Sequence, residues 1–225
     1  MRRVTVVLLA LGLLGTAAAA EDIGIAMLVR PEVRGFPPGQ PSRDLVARDP
    51  IERGLRVLLT SKEAFLQVYL TRAFGGNQGA RNFDGRKISG VLTLVGAGDA
   101  GLGDSERSHA PKLRFNRGKF KLSLLPGEPP IDVDTPEAVS GVHGTDAGFF
   151  VDPKVGTFVR VYEGVVTVQA KAGGDPVEVE AGQWVLVPPG GLATRPAPLQ
   201  HLDEPDDSPI RLSDFTTQPA ARPHR

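Results

Sequence analysis

Cysteine is absent from this chain of 225 residues. Its absence excludes a disulfide framework, thiol chemistry and a lipoprotein-type attachment site, and is compatible with an oxidising compartment. Histidine is scarce: His109, His143, His201 and His224 lie too far apart for an HxH or HxxxH pair, so no metal site and no cofactor is expected. No G-x-S-x-G elbow occurs, and Ser108, Ser123 and Ser140 read as surface serines, not nucleophiles. Lys and Arg are scattered singly, without the clusters that phosphate binding needs, which argues against a nucleic-acid surface. After the first 20 residues there is neither an apolar run able to cross a bilayer nor a helix-length periodic segment.

What is present begins with MRRVTVVLLALGLLGTAAAAED. Arg2 and Arg3, the apolar run Val4 to Leu14 and the small residues ending at Ala20 have the layout of a secretory signal, residues 1–20, cleaved before Glu21. The expected product is periplasmic or secreted, with no membrane span in the mature chain and a net charge of about −2, because two arginines leave with the leader. The far end, residues 191–225, is rich in Pro and poor in apolar periodicity, and reads as a flexible tail that cannot bury enough surface to offset its ordering entropy. Its acidic group, Asp203, Glu204, Asp206 and Asp207, reads as solvated. A body at 21–190 suits one domain.

Inside that body the pattern is strand. Alternation runs through AFLQVYL (64–70), KLRF (112–115), KFKLSLL (119–125) and TFVRVYEGVVTVQA (157–170), with Gly or Pro between runs. An all-β fold is expected, an antiparallel sandwich or rolled sheet of short hairpin-connected strands. Two-residue loops fix the facing pairs. A turn at Glu163-Gly164 sets Val161 against Val166 and Val159 against Val168. A second at Gly173-Gly174 sets Ala170 against Val177 and Val168 against Val179. One face then carries all seven small apolar residues, and Arg160, Thr167, Gln169, Glu178 and Glu180 point the other way. A third turn at Arg117-Gly118 pairs Phe115 with Phe120 and Leu113 with Leu122, leaving Arg114 against Lys121 on a solvated face.

Two further stretches suggest function. GAGDAG (Gly96 to Gly101) matches a dinucleotide fingerprint, but LGDSERSHAP after it offers no helix to hold a pyrophosphate, so it reads as a Gly-rich loop; Asp99 and Asp104 do not make the tandem repeat of a calcium-binding β-roll. The segment VYEGVVTVQAKAGGDPVEVEAGQWVLVPPGG resembles the second half of a cupin. It lacks the HxH pair upstream, and Pro189-Gly190 is followed by Gly191-Leu192 where cupin enzymes place a His. A cupin-like small-molecule-binding protein or metal-dependent enzyme is the alternative reading.

From Val133 the chain reads VDTPEAVSGVHGTDAGFFVD, then TFVRVYEGVVTV, then VEVEAGQ. In order and spacing this resembles the FecR domain, through Thr135, Pro136, Ala138, Val142, Gly144, Thr145, Thr157, Val159, Val161, Glu163, Gly164, Val166, Val168, Gly182 and Gln183, with a core match at 131–190. DPIERGLRVLLTSKEAFLQVYL is a looser likeness upstream. His143 stands where the family usually carries Arg, and Ala147-Gly148 delays the aromatic that follows Gly-Thr.

The resemblance implies a non-enzymatic binding or scaffolding module of the cell envelope. Its best-known members are transmembrane regulators that relay a signal to a sigma factor from a periplasmic domain. With three residues ahead of the apolar run, no direct contact with a sigma factor is expected here, and the partner class is an envelope protein or glycan. The motif residues read as structural. Pro136 keeps Thr135 extended, Gly144 supplies a special backbone geometry, and Thr145 bonds to a neighbouring amide. His143 reads as a solvent-side residue at a strand end. Arg160 and Tyr162, on the outer face of the Glu163-Gly164 hairpin, are the candidate contact pair, because Arg and Tyr are enriched at the energetic centres of interfaces.

Overall fold

The computed structural model describes residues 22–71, 81–83, 86–103 and 112–199. The signal at 1–20, Asp104, Ser108, His109, His201, His224 and the acidic group at 203–207 lie outside the described residues. All fifteen strands belong to one sheet: β1 (Asp22–Val29), β2 (Val33–Phe36), β3 (Arg43–Asp44), β4 (Pro50–Glu52), β5 (Leu55–Leu59), β6 (Phe65–Thr71), β7 (Arg81–Phe83), β8 (Arg86–Leu102), β9 (Lys112–Leu124), β10 (Ile131–Asp134), β11 (Ala138–Asp152), β12 (Gly156–Ala170), β13 (Val177–Glu180), β14 (Gln183–Val187) and β15 (Ala197–Pro198). There is no helix among the described residues, so none is long and apolar enough to cross a membrane. The all-β expectation holds. Pairing is antiparallel except between β9 and β10, which are parallel.

The strands are not all short, and two of the three expected hairpins do not exist. Glu163-Gly164 lies inside β12, which pairs along its length with β11, and Arg117-Gly118 lies inside β9. Each glycine has the positive φ that a hairpin turn would also need, +80° at Gly164 and +118° at Gly118. Here that backbone makes a β-bulge, which inserts an extra residue and bends the strand. Burial switches parity across each bulge: in β12 from Val159 and Val161 to Val166, Val168 and Ala170, and in β9 from Leu113 and Phe115 to Phe120, Leu122 and Leu124. In β11 it switches from Ala138 and Val142 to Ala147, Phe149 and Val151, across a register shift between His143 and Ala147. The buried face therefore stays buried.

GAGDAG is likewise part of a strand. It forms the end of β8, with Gly96 at φ +69° and a register shift between Val95 and Ala100. The Gly-rich loop reading is corrected for the same reason.

The four long strands carry the chain between two layers. In the first, β14, the start of β12, the end of β11, the end of β9, the start of β8, then β6 and β1 lie side by side. In the second, β13 pairs the end of β12, β10 separates β11 from β9, and β5 pairs the end of β8. One apolar cluster joins both layers, from Ile23 to Val187. This is the rolled form of the expected architecture, with corners made by bulged strands that switch layers.

The Gly173-Gly174 connection is a true turn between β12 and β13, but Val168 faces Val177 and Val166 faces Val179. The offset from the expected register is two residues, and an even offset leaves the same side chains inside. Arg114 and Lys121 do not face each other: Arg114 Nε lies 3.5 Å from Asp134 in the second layer, and Lys121 Nζ lies 2.8 Å from Asp146 in the first. The body also continues past 190. Thr194 N donates to Leu186 O, Leu199 N donates to Gly182 O, and β15 pairs β14.

Candidate functional site: the outer face of the first layer

The FecR-like motif resolves into internal locks. Thr135 Oγ1 accepts from Ala138 N at 3.0 Å and lies 2.7 Å from Thr157 Oγ1, which reaches Glu137 Oε2 at 2.9 Å. Thr135 and Thr157 are buried, so these bonds replace water for both hydroxyls. Thr145 bonds carbonyls, not the amide expected: its Oγ1 is 2.6 Å from His143 O and 3.0 Å from Val165 O. That hydroxyl ties the bulge of β11 to the bulge of β12. A Cβ on Gly164 would come within 2.9 Å of Thr145 Oγ1, and one on Gly144, at φ +54°, would lie 3.4 Å from Pro126 Cα. Glu163 sits at the β12 bulge opposite Asp146. Gly182 N donates to Val161 O, and Gln183 Oε1 accepts from Glu180 N at 3.1 Å, closing the β13–β14 turn. Pro136 stands in the short link between β10 and β11.

Other expected residues fall away from any chemistry. His143 is exposed beside Val165. Ser123 and Ser140 are buried, not surface serines; Ser123 Oγ donates to Asp146 Oδ1 at 2.9 Å. Among the described residues no three His, Asp or Glu side chains converge as a metal site.

Arg160 and Tyr162 do share the face opposite the core, as alternation requires, although the element is a bulged strand and not a hairpin. Pairing sets out two rows across that face. One runs Trp184, Arg160, Gly148, Lys121, and the next runs Leu186, Phe158, Phe150, Lys119. The Phe158 and Trp184 rings stack at 4.7 Å with their planes 22° apart, and the Arg160 guanidinium carbon lies 4.8 Å from the Phe158 centroid. Gly148, the residue that delayed the aromatic, makes room: a Cβ there would lie 3.2 Å from Tyr162 Oη. Lys121 Nζ sits 5.1 Å from the Tyr162 ring centroid.

Lys121 is fixed from below. Its partner Asp146 is buried, and Ser123 satisfies the other carboxylate oxygen, so the ion pair has one geometry. The first row continues into Thr93 and Gln67, both buried, so the half-buried part of the face spans β14, β12, β11 and β9. Beside Phe150, which is 37% exposed, the bends of β8 and β9 leave a groove of roughly 270 Å³ lined by Lys62, Arg117, Lys119, Phe150 and Asp152. Asp152 Oδ1 is occupied by the backbone amides of Lys154 and Val155. No described acidic group pairs with Arg117.

Such a surface, with stacked planar aromatic groups and a guanidinium at its centre and the Lys121 ammonium neutralised by Asp146, has the residue types of a contact face. The alternating TFVRVYE announces Phe158, Arg160 and Tyr162 as one face. Trp184, Phe150, Lys119 and Lys121 join them only through strand order, which leaves no local trace.

No protein-family model matches the chain, and no curated protein matches it. Two crystal structures from Parabacteroides distasonis ATCC 8503, each provisionally described as an anti-sigma factor, are similar in part. One, at 2.50 Å resolution, has a TM-score of 0.41 and 14% identity over 60% of this chain and 60% of that one. The other, at 1.65 Å resolution, has a TM-score of 0.35 and 11% identity over 66% of this chain and 57% of that one. The chain thus spans about three fifths of each.

Proposed function

We propose that the chain is an exported, non-enzymatic module of the cell envelope, FecR-like in its domain, that binds a protein or glycan through the outer face of β9, β11, β12 and β14. The observation that carries this reading is the Trp184–Phe158–Arg160 stack flanked by Tyr162 and Lys121 on one half-buried face. Aromatic and Arg side chains are the residue types that dominate interface energetics. The motif residues acting as internal locks support a FecR-like body whose motif is architectural. The leader-like first 20 residues support export. An interior filled by Phe115, Phe120, Phe149 and the Leu and Val side chains around them favours a surface binder over a cupin-like container.

Two measurements test the proposal. Release of the chain by osmotic shock is expected, and retention with membranes after a high-salt wash sinks the export reading. Capture of envelope components by the parent is then compared with Arg160→Ala and Trp184→Ala, each first matched to the parent by circular dichroism. Loss of one saturable partner in both variants is expected; unchanged capture removes the face from consideration.

A further inference from the structure

Beyond Lys119 the second row reaches Val95, and there the sheet bends on two neighbouring strands. β8 leaves its register between Val95 and Asp99, and β9 bulges beside it at Arg117-Gly118. The two backbones meet so closely that a Cβ on Gly118 would lie 2.8 Å from Gly98 Cα, and the groove of roughly 270 Å³ opens next to this contact. Arg117 stands opposite Asp99, yet that carboxylate does not neutralise it: Arg56 takes both Asp99 oxygens, at 2.9 Å from Nε and 2.8 Å from Nη2. Lys62 pairs with Glu63 at 3.6 Å and Lys119 has a partner, which leaves the exposed Arg117 as the uncommitted cation of the groove among the described residues. Phe150, one of the exposed large apolar side chains, lines the same groove, and so does Asp152. Asp152 Oδ1 accepts from the amides of Lys154 and Val155 at 2.8 and 3.3 Å, which fixes the carboxylate and leaves Oδ2 unengaged among the described residues.

We infer that this groove is the subsite for one carboxylated sugar ring of an acidic glycan. Such a ring carries a carboxylate, hydroxyl donors and an apolar C–H face in one small group. Arg117 matches the first through the paired bonds of a guanidinium to a carboxylate. Oδ2 of Asp152 accepts from the second. The Phe150 ring receives the third, because its electron-rich face attracts polarised C–H groups. An acidic peptide side chain meets only Arg117, and Asp152 repels its carboxylate; a neutral sugar leaves Arg117 without a partner. At roughly 270 Å³ the groove lies below the ~300–1,000 Å³ of pockets that enclose drug-sized ligands, a size for one ring and not for a cofactor. A glycan is one of the two partner classes proposed above, and this subsite rests on that reading, but it uses none of Trp184, Phe158 and Arg160.

Native gels cast with polygalacturonate or alginate as acidic probes, dextran as a neutral one and polyglutamate as a peptide-like one test the full chain. Retardation by at least one acidic polysaccharide is expected, with none by dextran and little by polyglutamate. Arg117→Gln should weaken it by about tenfold or more, the loss of one charge-assisted contact. Phe150→Leu should weaken it too, and Phe150→Tyr, which keeps the ring, should not. Both positions are exposed, and circular dichroism first matches each variant to the parent. A parent that neither acidic polysaccharide retards overturns the inference, and equal retardation by polyglutamate overturns it in favour of a site for any carboxylate. Retardation unchanged in Arg117→Gln or in Phe150→Leu overturns it as well. Capture of envelope components, expected to be lost in Arg160→Ala and Trp184→Ala, is a separate readout, so failure here leaves the partner-binding role of the outer face standing.

Discussion

Phe115 and Phe120 lie five residues apart on one strand, yet their rings stack at 4.0 Å with planes 8° apart. In an unbroken strand an odd separation would put them on opposite faces. The bulge at Arg117-Gly118 returns both to the core, where Phe149 meets Phe115 edge-on at 5.7 Å. The pair joins the two halves of β9, one in each layer. Phe115→Ala should destabilise the protein by about 3–5 kcal/mol, read as a lower urea midpoint. A loss under 1 kcal/mol would mean the layers do not share this core.

Gly164→Asn separates a bulge from a hairpin turn. Asn tolerates positive φ and is common in two-residue turns. At this bulge a Cβ would meet Thr145 Oγ1 at 2.9 Å and Gly144 O at 3.2 Å. A cost of about 1–3 kcal/mol is expected from chemical denaturation, and a neutral outcome contradicts the bulge.

Thr157→Val keeps the shape of the side chain but removes the hydroxyl that joins Thr135 Oγ1 to Glu137 Oε2. The buried Thr135 hydroxyl keeps Ala138, so the expected loss is about 1–3 kcal/mol and not collapse of the fold. Thermal melting of Thr157→Val beside Thr157→Ser, which retains the hydroxyl, distinguishes the lost hydrogen bond from lost packing: only the Ser variant should stay near the parent.

Asp134 predicts how stability depends on pH. Burial opposes its ionisation, but Lys171, 2.7 Å from Oδ1, and Lys112, 3.4 Å from Oδ2, outweigh that and hold its carboxyl below the usual range. The unfolded carboxyl titrates near ~4, so Asp134 contributes stability above that value and loses it as the pH falls through the lower folded value. Asp134→Asn should lower stability at neutral pH and flatten the fall of stability below pH ~4. A variant with the parent's slope across that range would show that other carboxylates carry the acid response.

The sequence alone determined the class of fold and the inward side of its strands. Val159, Val161, Val166, Val168 and Ala170 alternate in a way that only a half-buried strand satisfies, and the Gly173-Gly174 turn keeps that assignment even though its register is two residues off. It also placed Arg160 and Tyr162 on the outer face. Tertiary structure decided whether Gly118 and Gly164 turn the chain or bend it, since a tight turn and a bulge demand the same positive φ and differ only in which strand lies alongside. Here β11 pairs with β12 on both sides of Gly164, and β8 pairs with β9 on both sides of Gly118, so neither strand turns back on itself. The same long-range pairing brought Trp184, Phe150, Lys119 and Lys121 to Arg160 and Tyr162, because hydrogen bonds between strands, and not spacing along the chain, set the neighbours across a sheet.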